Sequence, residues 1–452
     1  MIVLDDITET VKLQEHLKYI ESHDYETGLM NTETFKQRIA DYSEKHECSL
    51  AGNNMYAISI GNYHQIKSKL NSKAHAAILR NIVEYISSVI NKYSIFARIS
   101  ENEYCIFSNG TPLNMYTVKK LLSNSRSTTF DIDGMAISAD FKLGLYKIRN
   151  IDVIADEAID CASYALRVAE QDSHSHICIY NEQIEHQHRL SKHIVENLGK
   201  FDYHKEFELT FQPVIDIVSD KIASAEALIQ WNHPRFGRIT PDNFINVFEN
   251  NGEIWHLGLF IVDRVCHQLS KWKNMLSDDF CMSLNVSKKQ IERSELFENI
   301  MGIVNQYEIP SSMLEFEITE TAAVNDIEIV KKFCSDASEY GFGVTLDDFG
   351  SGNTTLGFIT EFNLKKIKFD TSLTDGIEIK KNKRVVTQSM LDMCNHLNLQ
   401  IVVEHVETIQ SLEQFRSQGF RLIQGFVFSP PLSPENFEQY YTDYQMNKQI
   451  ST

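Results

Sequence analysis

Ten polar residues in the second half of the chain have types and placements that could do chemistry: Gln212, Glu226, Asn285, Glu317, Asp347, Asp348, Lys368, Asp370, Glu404 and Gln424. Each lies in, or at the end of, one of eight short apolar runs that follow Lys200. Polar groups at matching ends of successive strands are how an α/β barrel assembles an active site. Six of the ten are carboxylates, and six at one mouth would repel one another and drive their pKa values up. They stay ionised together only with cations among them. Oxygen donors, the Asn285 amide included, suit hard ions such as magnesium or manganese. Adjacent Asp347 and Asp348 can reach two ions about 3.5–4 Å apart, with one carboxylate bridging. Such a pair lowers the pKa of a bound water to about 7 and clamps the oxygens of an in-line displacement. Lys368 is the one cation of the set, suited to orienting an attacking hydroxide or neutralising a phosphoryl group. Singly, Glu226-Ala227-Leu228 is an ordinary helix triplet, Asp347-Asp348 an ordinary turn and Asn285 an ordinary strand-end cap. The arrangement across successive strands is what chance does not supply.

The elements that must position these residues are legible in the apolar pattern. Strands are expected at 207–217, 222–231, 280–286, 314–319, 342–348, 365–370, 400–406 and 420–428. Amphipathic helices lie between most of them, such as 256–272, where Val262, Val265, Cys266, Leu269 and Trp272 share a face. Eight strands alternating with helices predict an α/β fold of the TIM-barrel type, over 201–445. Upstream, 23–182 mixes strands (Met55 to Ile60, Phe141 to Tyr146) with helices (Ala74 to Ile90, Val153 to Ala169) and reads as a separate α/β domain. Residues 5–22, with Leu13, Leu17 and Ile20 at helical spacing, predict a short helix. The joint, 183–200, is not rich in Pro or Gly and reads as helical and stiff.

Composition narrows the function. Net charge is −19, which argues against a nucleic-acid polymer as partner and makes metal ions the simple source of positive charge for an anionic substrate. No apolar stretch approaches the ~20 residues of a membrane span, and the N-terminus turns acidic at Asp5-Asp6, unlike a signal peptide. The eight cysteines include no Cys-x-x-Cys pair, so buried thiols in a reducing cytoplasm are expected.

Residues 201–440 resemble the EAL domain of cyclic-di-GMP phosphodiesterases. The resemblance rests on Phe211-Gln212-Pro213, Glu226-Ala227-Leu228, His233-Pro234, Asn285-Val286-Ser287 and Glu317-Ile318-Thr319-Glu320. It continues through Asp347-Asp348-Phe349-Gly350-Ser351-Gly352, Lys368-Phe369-Asp370, Glu404-His405-Val406-Glu407 and Gln424-Gly425-Phe426. It implies a modified barrel whose first strand runs against the others, cleaving cyclic-di-GMP to linear pGpG with Mg²⁺ or Mn²⁺. By the family's pattern Glu226, Asn285, Glu317 and Asp347 hold metal, and Asp348, Glu404 and Asp370 serve the second ion and its waters. Lys368 touches the attacking water, Gln212, Leu228 and Gln424 line the nucleotide groove, and Glu320 and Glu407 support the loop after Asp348. That loop implies a homodimer. Three positions depart from the pattern: Gln230 replaces an Arg, His405 a Gly and Asn353 an aromatic residue. Losing an Arg–phosphate contact costs roughly 1.5–3 kcal/mol. A weakened hydrolase is therefore expected, and strand alternation is expected to point His405 away from Glu404.

The first domain resembles a GGDEF domain, which makes cyclic-di-GMP from GTP, beginning at His23-Asp24-Tyr25-Glu26-Thr27-Gly28-Leu29-Met30-Asn31. Its signature is here Ser100-Glu101-Asn102-Glu103-Tyr104. Both glycines that let the backbone approach a phosphate are gone, and the family's two metal aspartates correspond to Ser59 and Asn102. Lys67 and Ser68 stand at the guanine positions, Glu170 replaces a phosphate-contacting Lys, and Asn91 and Ser94 replace the inhibitory Arg and Asp. The resemblance implies a tandem GGDEF–EAL protein with an inactive cyclase domain as regulator or dimerisation module. The segment Asp6 to Ile20 resembles the exit helix of a PAS-type sensor preceding a GGDEF domain, which implies that 1–22 is a signalling helix with a sensor domain upstream. The alternative is a non-catalytic cyclic-di-GMP receptor with both domains degenerate.

Overall fold

The computed structural model describes residues 19, 21–45, 49–108, 128–132, 134–171, 175–320, 322, 326–350, 357–374, 376, 377 and 380–451. The helix expected over 5–22 lies outside these, apart from Tyr19, Glu21 and Ser22, which are helical. Asn353 and the Ser351-Gly352 pair of the loop also lie outside. The chain divides into two compact units, Met1–Leu190 and Ser191–Thr452. A helix over Glu182–Glu196 occupies most of the expected joint.

The first unit contains β1 (Asn54–Ile60), β2 (Ile95–Arg98), β3 (Glu103–Ser108), β4 (Thr128–Ile132), β5 (Met135–Ala139), β6 (Phe141–Lys147) and β7 (Ile177–Ile179). β4 and β5 form a separate hairpin, and the others make one mixed sheet in the order β2-β3-β1-β6-β7. β1 is buried along its whole length, and its alternation explains why. Tyr56, Ile58 and Ile60 share a core with Ile78, Leu79 and Ile82 of the helix Ser72–Val89. Met55 and Ala57 share the opposite core with Phe35, Ile39, Ala158 and Ala162 of the helices Thr32–Lys45 and Ala155–Gln171. A Cβ on Gly144 of β6 would stand 2.2 Å from the Ala162 carbonyl oxygen, so glycine there sets the helix-to-sheet approach.

The second unit contains β8 (Phe207–Asp216), β9 (Lys221–His233), β10 (Gly237–Ile239), β11 (Cys281–Asn285), β12 (Leu314–Thr319), β13 (Gly343–Phe349), β14 (Lys366–Phe369), β15 (Gln400–Val403) and β16 (Leu422–Gln424). β10 is a short strand appended to β9. The other eight close into a barrel, with β8 bonded antiparallel to both β16 and β9. From β9 through β16 each successive pair of barrel strands is parallel.

The two faces of each strand have different chemistry. Ala225 and Ala227, Met282 and Leu284, Phe316 and Ile318, Val344 and Leu346, Ile367 and Phe369, and Ile401 and Val403 all belong to one apolar core. That core is shared with the surrounding helices, including Val262, Val265, Cys266, Leu269 and Trp272 of Ile254–Trp272. The alternate residues face the barrel interior, and most of them are polar. A period of two therefore separates the residues that hold the fold from those available for chemistry.

The interior has two polar levels. The upper one carries the residues singled out above. Beneath it, Glu315 is 1 % exposed and its carboxylate lies 3.0 Å from Lys366 Nζ. Thr345 Oγ1 donates to Glu315, and Lys366 Nζ stands 3.3 Å from Cys281 Sγ. Val214, Val402 and Leu422 make a small apolar cluster. Burial opposes the Lys366 charge, but Glu315 outweighs it and holds the ammonium protonated.

Breaking a buried pair by removing one partner costs about 3–5 kcal/mol, whereas replacing both with apolar side chains is often near neutral. Glu315→Ala should therefore lower barrel stability in urea denaturation by that amount, and Glu315→Leu with Lys366→Met should recover most of it. A Glu315→Ala protein as stable as the parent would contradict the pairing.

Candidate active site

Lys368 sits on β14, where strand alternation points it inward above Lys366. Its side chain is 3 % exposed. Nζ lies 3.0 Å from Glu226, 2.8 Å from Glu317, 3.4 Å from Asp347 and 2.8 Å from Glu404. Four strands thus deliver four carboxylates to one ammonium. Asn285 Nδ2 donates to Glu226 Oε1 over 2.9 Å, and Gln424 Nε2 donates to Glu226 Oε2 over 2.8 Å. Gln424 Nε2 also donates to Gln212 Oε1, and Gln212 Nε2 to the Ser429 carbonyl.

Charge in this cluster is unbalanced. Burial works to remove the Lys368 proton, but Glu226, Glu317, Glu404 and Asp347 hold it well above the usual lysine range. Burial also works to push up the carboxyls of Glu226, Glu317, Glu404 and Asp348. At Glu226 the ammonium, with Gln424 and Asn285, prevails and the group titrates below its ordinary value. At Glu317 burial and the Glu226 charge prevail over Lys368. Burial raises Glu404 to about 8 against the pull of Lys368. Burial, then Asp347, then Asp370, raises Asp348 to about 6. One ammonium does not neutralise these acids.

Asp347 and Asp348 are neighbours, and on a regular strand they would face opposite sides. A bulge changes that. Between Leu346 and Phe349, β13 has one residue more than β14 has between Ile367 and Phe369, and Asp348 adopts a φ of +55°. A bulge of this kind re-aims side chains. Oxygens of Asp347, Asp348 and Glu404 lie within 4.8 Å of one another. These all-oxygen donors fit a hard divalent cation. Glu320, 1 % exposed, accepts the Gly350 N–H over 2.7 Å and so holds the turn that follows. Glu407 is exposed. Asp370 follows β14, and its Oδ1 accepts from the Ser372 N–H over 2.7 Å.

His405 is exposed while Glu404 is buried, but strand alternation is not the reason. β15 ends at Val403, and His405 adopts a left-handed φ of +54°, a conformation that favours glycine. Gly425 lies against this turn: a Cβ there would stand 2.2 Å from the Val406 carbonyl oxygen.

One face of β8 and β9 leads outward from the cluster. Three directly paired couples line it: Gln212 with Glu226, Thr210 with Leu228, and Glu208 with Gln230. Paired and alternate residues share one face. Exposure rises along the series: Gln212 and Glu226 are buried, Thr210, Leu228 and Gln230 are half-buried, and Glu208 is exposed. Sequence reasoning passed over Glu208, and over the Glu315–Lys366 level. The missed signal was the spacing of two residues that joins Glu315 to Glu317 and Lys366 to Lys368 on one face.

In the first unit, the turn between β2 and β3 carries Ser100, Glu101 and Asn102, with Glu103 opening β3. Its polar groups are engaged with neighbouring residues. Asn102 accepts from the Ile60 N–H over 3.1 Å and donates to the Ile60 carbonyl over 3.0 Å. Ser59 Oγ donates to Glu170 over 2.5 Å. Lys67 pairs with Glu101, and Ser163 donates to Glu103, whose carboxyl burial pushes up. Arg98, 6 % exposed, bridges Asp24 at 3.0 Å and Glu26 at 2.7 Å and donates to the Glu101 carbonyl.

Comparison with known proteins agrees with this division. The family described as "EAL domain" matches residues 199–431, and the family described as "Diguanylate cyclase, GGDEF domain" matches 21–176. The signaling protein YkoW of Bacillus subtilis is 24% identical over 443 residues, 97% of this chain and 55% of its own length. Cyclic di-GMP phosphodiesterase NbdA of Pseudomonas aeruginosa is 24% identical over 95% of this chain and 55% of its length. The chain thus spans about half the length of these relatives. Among solved structures, the S helix–GGDEF–EAL portion of Vibrio cholerae LapD superposes over 93% of this chain and 99% of its own, with a TM-score of 0.68 and 17% identity. The PaMucR phosphodiesterase in complex with c-di-GMP matches 55% of this chain and 99% of its own, with a TM-score of 0.51 and 25% identity. The chain belongs to the EAL-domain family, with a GGDEF domain preceding the EAL domain.

Proposed function

We propose that this protein is a metal-dependent phosphodiesterase that hydrolyses cyclic-di-GMP to pGpG, and that its GGDEF domain makes no cyclic-di-GMP. The observation that carries the first part is the charge deficit in the barrel: four carboxylates on one ammonium, with Asp348 adjoining. Glu226, Asn285, Glu317 and Asp347 would hold one divalent ion, and Asp347, Asp348 and Glu404, with Asp370 beyond, a second. Magnesium or manganese held there would activate a water for in-line attack on phosphorus and stabilise the phosphoryl oxygens. Gln424 and Asn285 fix the Glu226 carboxylate through its two oxygens. Lys368 keeps its proton and places a donor at the centre of the cluster, where it can hold the attacking water and a phosphoryl oxygen. Gln212 and Leu228 line the path by which a nucleotide reaches that point. The named phosphodiesterases among the relatives support the same reading.

The second part rests on the GGDEF turn. Ser59 and Asn102 offer no carboxylate where the family binds metal, and Glu170 and Glu101 are engaged by Ser59 and Lys67. This leaves the domain a regulatory or dimerisation role. A non-catalytic cyclic-di-GMP receptor is the second reading, favoured by Gln230 where the family carries an Arg.

Four outcomes follow. With Mn²⁺, the protein should convert cyclic-di-GMP to pGpG, and Glu226→Ala or Lys368→Met should lower kcat by roughly 10²–10³, the scale for removing a preorganised electrostatic group. Tight binding without pGpG would establish the receptor instead. The same protein given GTP should yield no cyclic-di-GMP, and any yield would overturn the second part. Mn²⁺ affinity, measured by calorimetry, should rise at least about tenfold from pH 5.5 to 8.5, because Asp348 and Glu404 release their protons near 6 and 8. Without metal the sign reverses. Carboxyls raised in the fold lose stability as pH climbs from the ordinary carboxyl value to the raised one, so the melting temperature should fall across that window. An affinity that does not vary with pH would contradict the cluster.

A further inference from the structure

The face of β8 and β9 that leads out from the EAL cluster ends in a pair whose chemistry differs from that of its inner steps. Glu208 and Gln230 are direct partners across β8 and β9, on the face that carries Glu226 and Leu228. Two steps of two residues at about 3.3 Å per residue set Gln230 about 13 Å along the strand from Glu226. That is the reach of a nucleotide whose phosphate sits at the cluster. Thr210 Oγ1 is turned to the Leu228 carbonyl, so the middle step offers mainly the Leu228 side chain, a surface for the flat side of a base. The outer step offers an exposed carboxylate beside an amide.

We infer that Glu208 and Gln230 read the edge of a guanine. This rests on the phosphodiesterase reading of the same site. Guanine presents an oxygen acceptor, O6, beside two adjacent donors, N1–H and N2–H. A carboxylate accepts two parallel N–H bonds, and an amide NH₂ donates to a carbonyl oxygen. Glu208 therefore takes N1–H and N2–H while Gln230 donates to O6. Adenine places an acceptor at N1 and a donor at N6, so both contacts fail. Hypoxanthine keeps N1–H and O6 but lacks the N2 amine, and so forfeits one bond to Glu208. A site built to hydrogen-bond a group rejects the analogue lacking it, because its own polar atoms are left unpaired. On this account Gln230 does not leave a gap where the family carries an Arg. An Arg at that place would pair with the Glu208 carboxylate across the strands and withdraw it from the base.

Calorimetric binding of cyclic-di-GMP and of cyclic di-inosine monophosphate, each in Ca²⁺, tests this on the full chain. The parent should prefer cyclic-di-GMP by about 10-fold or more, the low end for hydrogen bonds to a charged group. In Glu208→Ala the two affinities should converge to within about twofold. In Gln230→Arg the preference should narrow as well, whatever happens to the absolute affinities. A preference that survives Glu208→Ala, or a parent that does not distinguish the two ligands, overturns the inference and leaves the phosphodiesterase reading intact. A parent that binds neither ligand and forms no pGpG overturns both. Melting curves of the variants identify any loss due to unfolding, and Glu208→Gln, which keeps one acceptor, should then give an intermediate preference.

Discussion

The barrel depends on the ammonium of Lys368. It is nearly fully buried, and its Nζ stands within 3.4 Å of carboxylates from four different strands. An isolated buried carboxylate is too costly to stay ionised; the ammonium offsets part of that cost, while the neighbouring carboxylates add to it. Burial outweighs the ammonium at Glu404, and burial with the Asp347 charge does so at Asp348, so both titrate high, whereas at Glu226 the ammonium, Gln424 and Asn285 prevail. The same imbalance that would be a fault in a purely structural core suits the proposed role of the barrel, because all-oxygen donors with excess negative charge fit a hard divalent ion. Fold and chemistry meet at one residue, whose neighbour on the same strand face, Lys366, is neutralised by Glu315 as a separate and better balanced pair.

The outer face of each strand makes this interior possible. Phe316 and Ile318 anchor β12 in the apolar core while Glu315 and Glu317 point the other way, and Ile367 and Phe369 do the same for Lys366 and Lys368. The hydrophobic effect thus acts on one side of the strand and fixes charged groups on the other. Their mutual spacing is set by the parallel ladder and by the antiparallel β8, which brings Gln212 directly opposite Glu226.

This period of two is also why so much was legible in the sequence. Each of the eight expected barrel strands overlaps one that is present, and carboxylates at their ends converge on Lys368. What alternation cannot encode was read less well. Asp348 reaches the same cluster as Asp347 only through a bulge and a left-handed φ, and nothing in the local residue pattern announces an inserted residue. His405 leaves the site by a left-handed turn after the strand has ended, where alternation had suggested a simpler reason. In the first unit the departures from the GGDEF signature, Ser59 and Asn102 in place of carboxylates, were readable in the sequence. The contacts between Ser59 and Glu170 and between Asn102 and Ile60 required coordinates, since their partners are far apart in sequence.

The most direct test of the account is the number of divalent ions the cluster holds. Equilibrium dialysis with Mn²⁺ and cyclic-di-GMP at pH 8 should give two ions per chain for the parent and fewer for an Asp347→Asn protein that melts as the parent does. A parent that retains no Mn²⁺, or an Asp347→Asn protein that retains the parent's full complement, would contradict the central claim that these carboxylates form a two-metal hydrolytic centre.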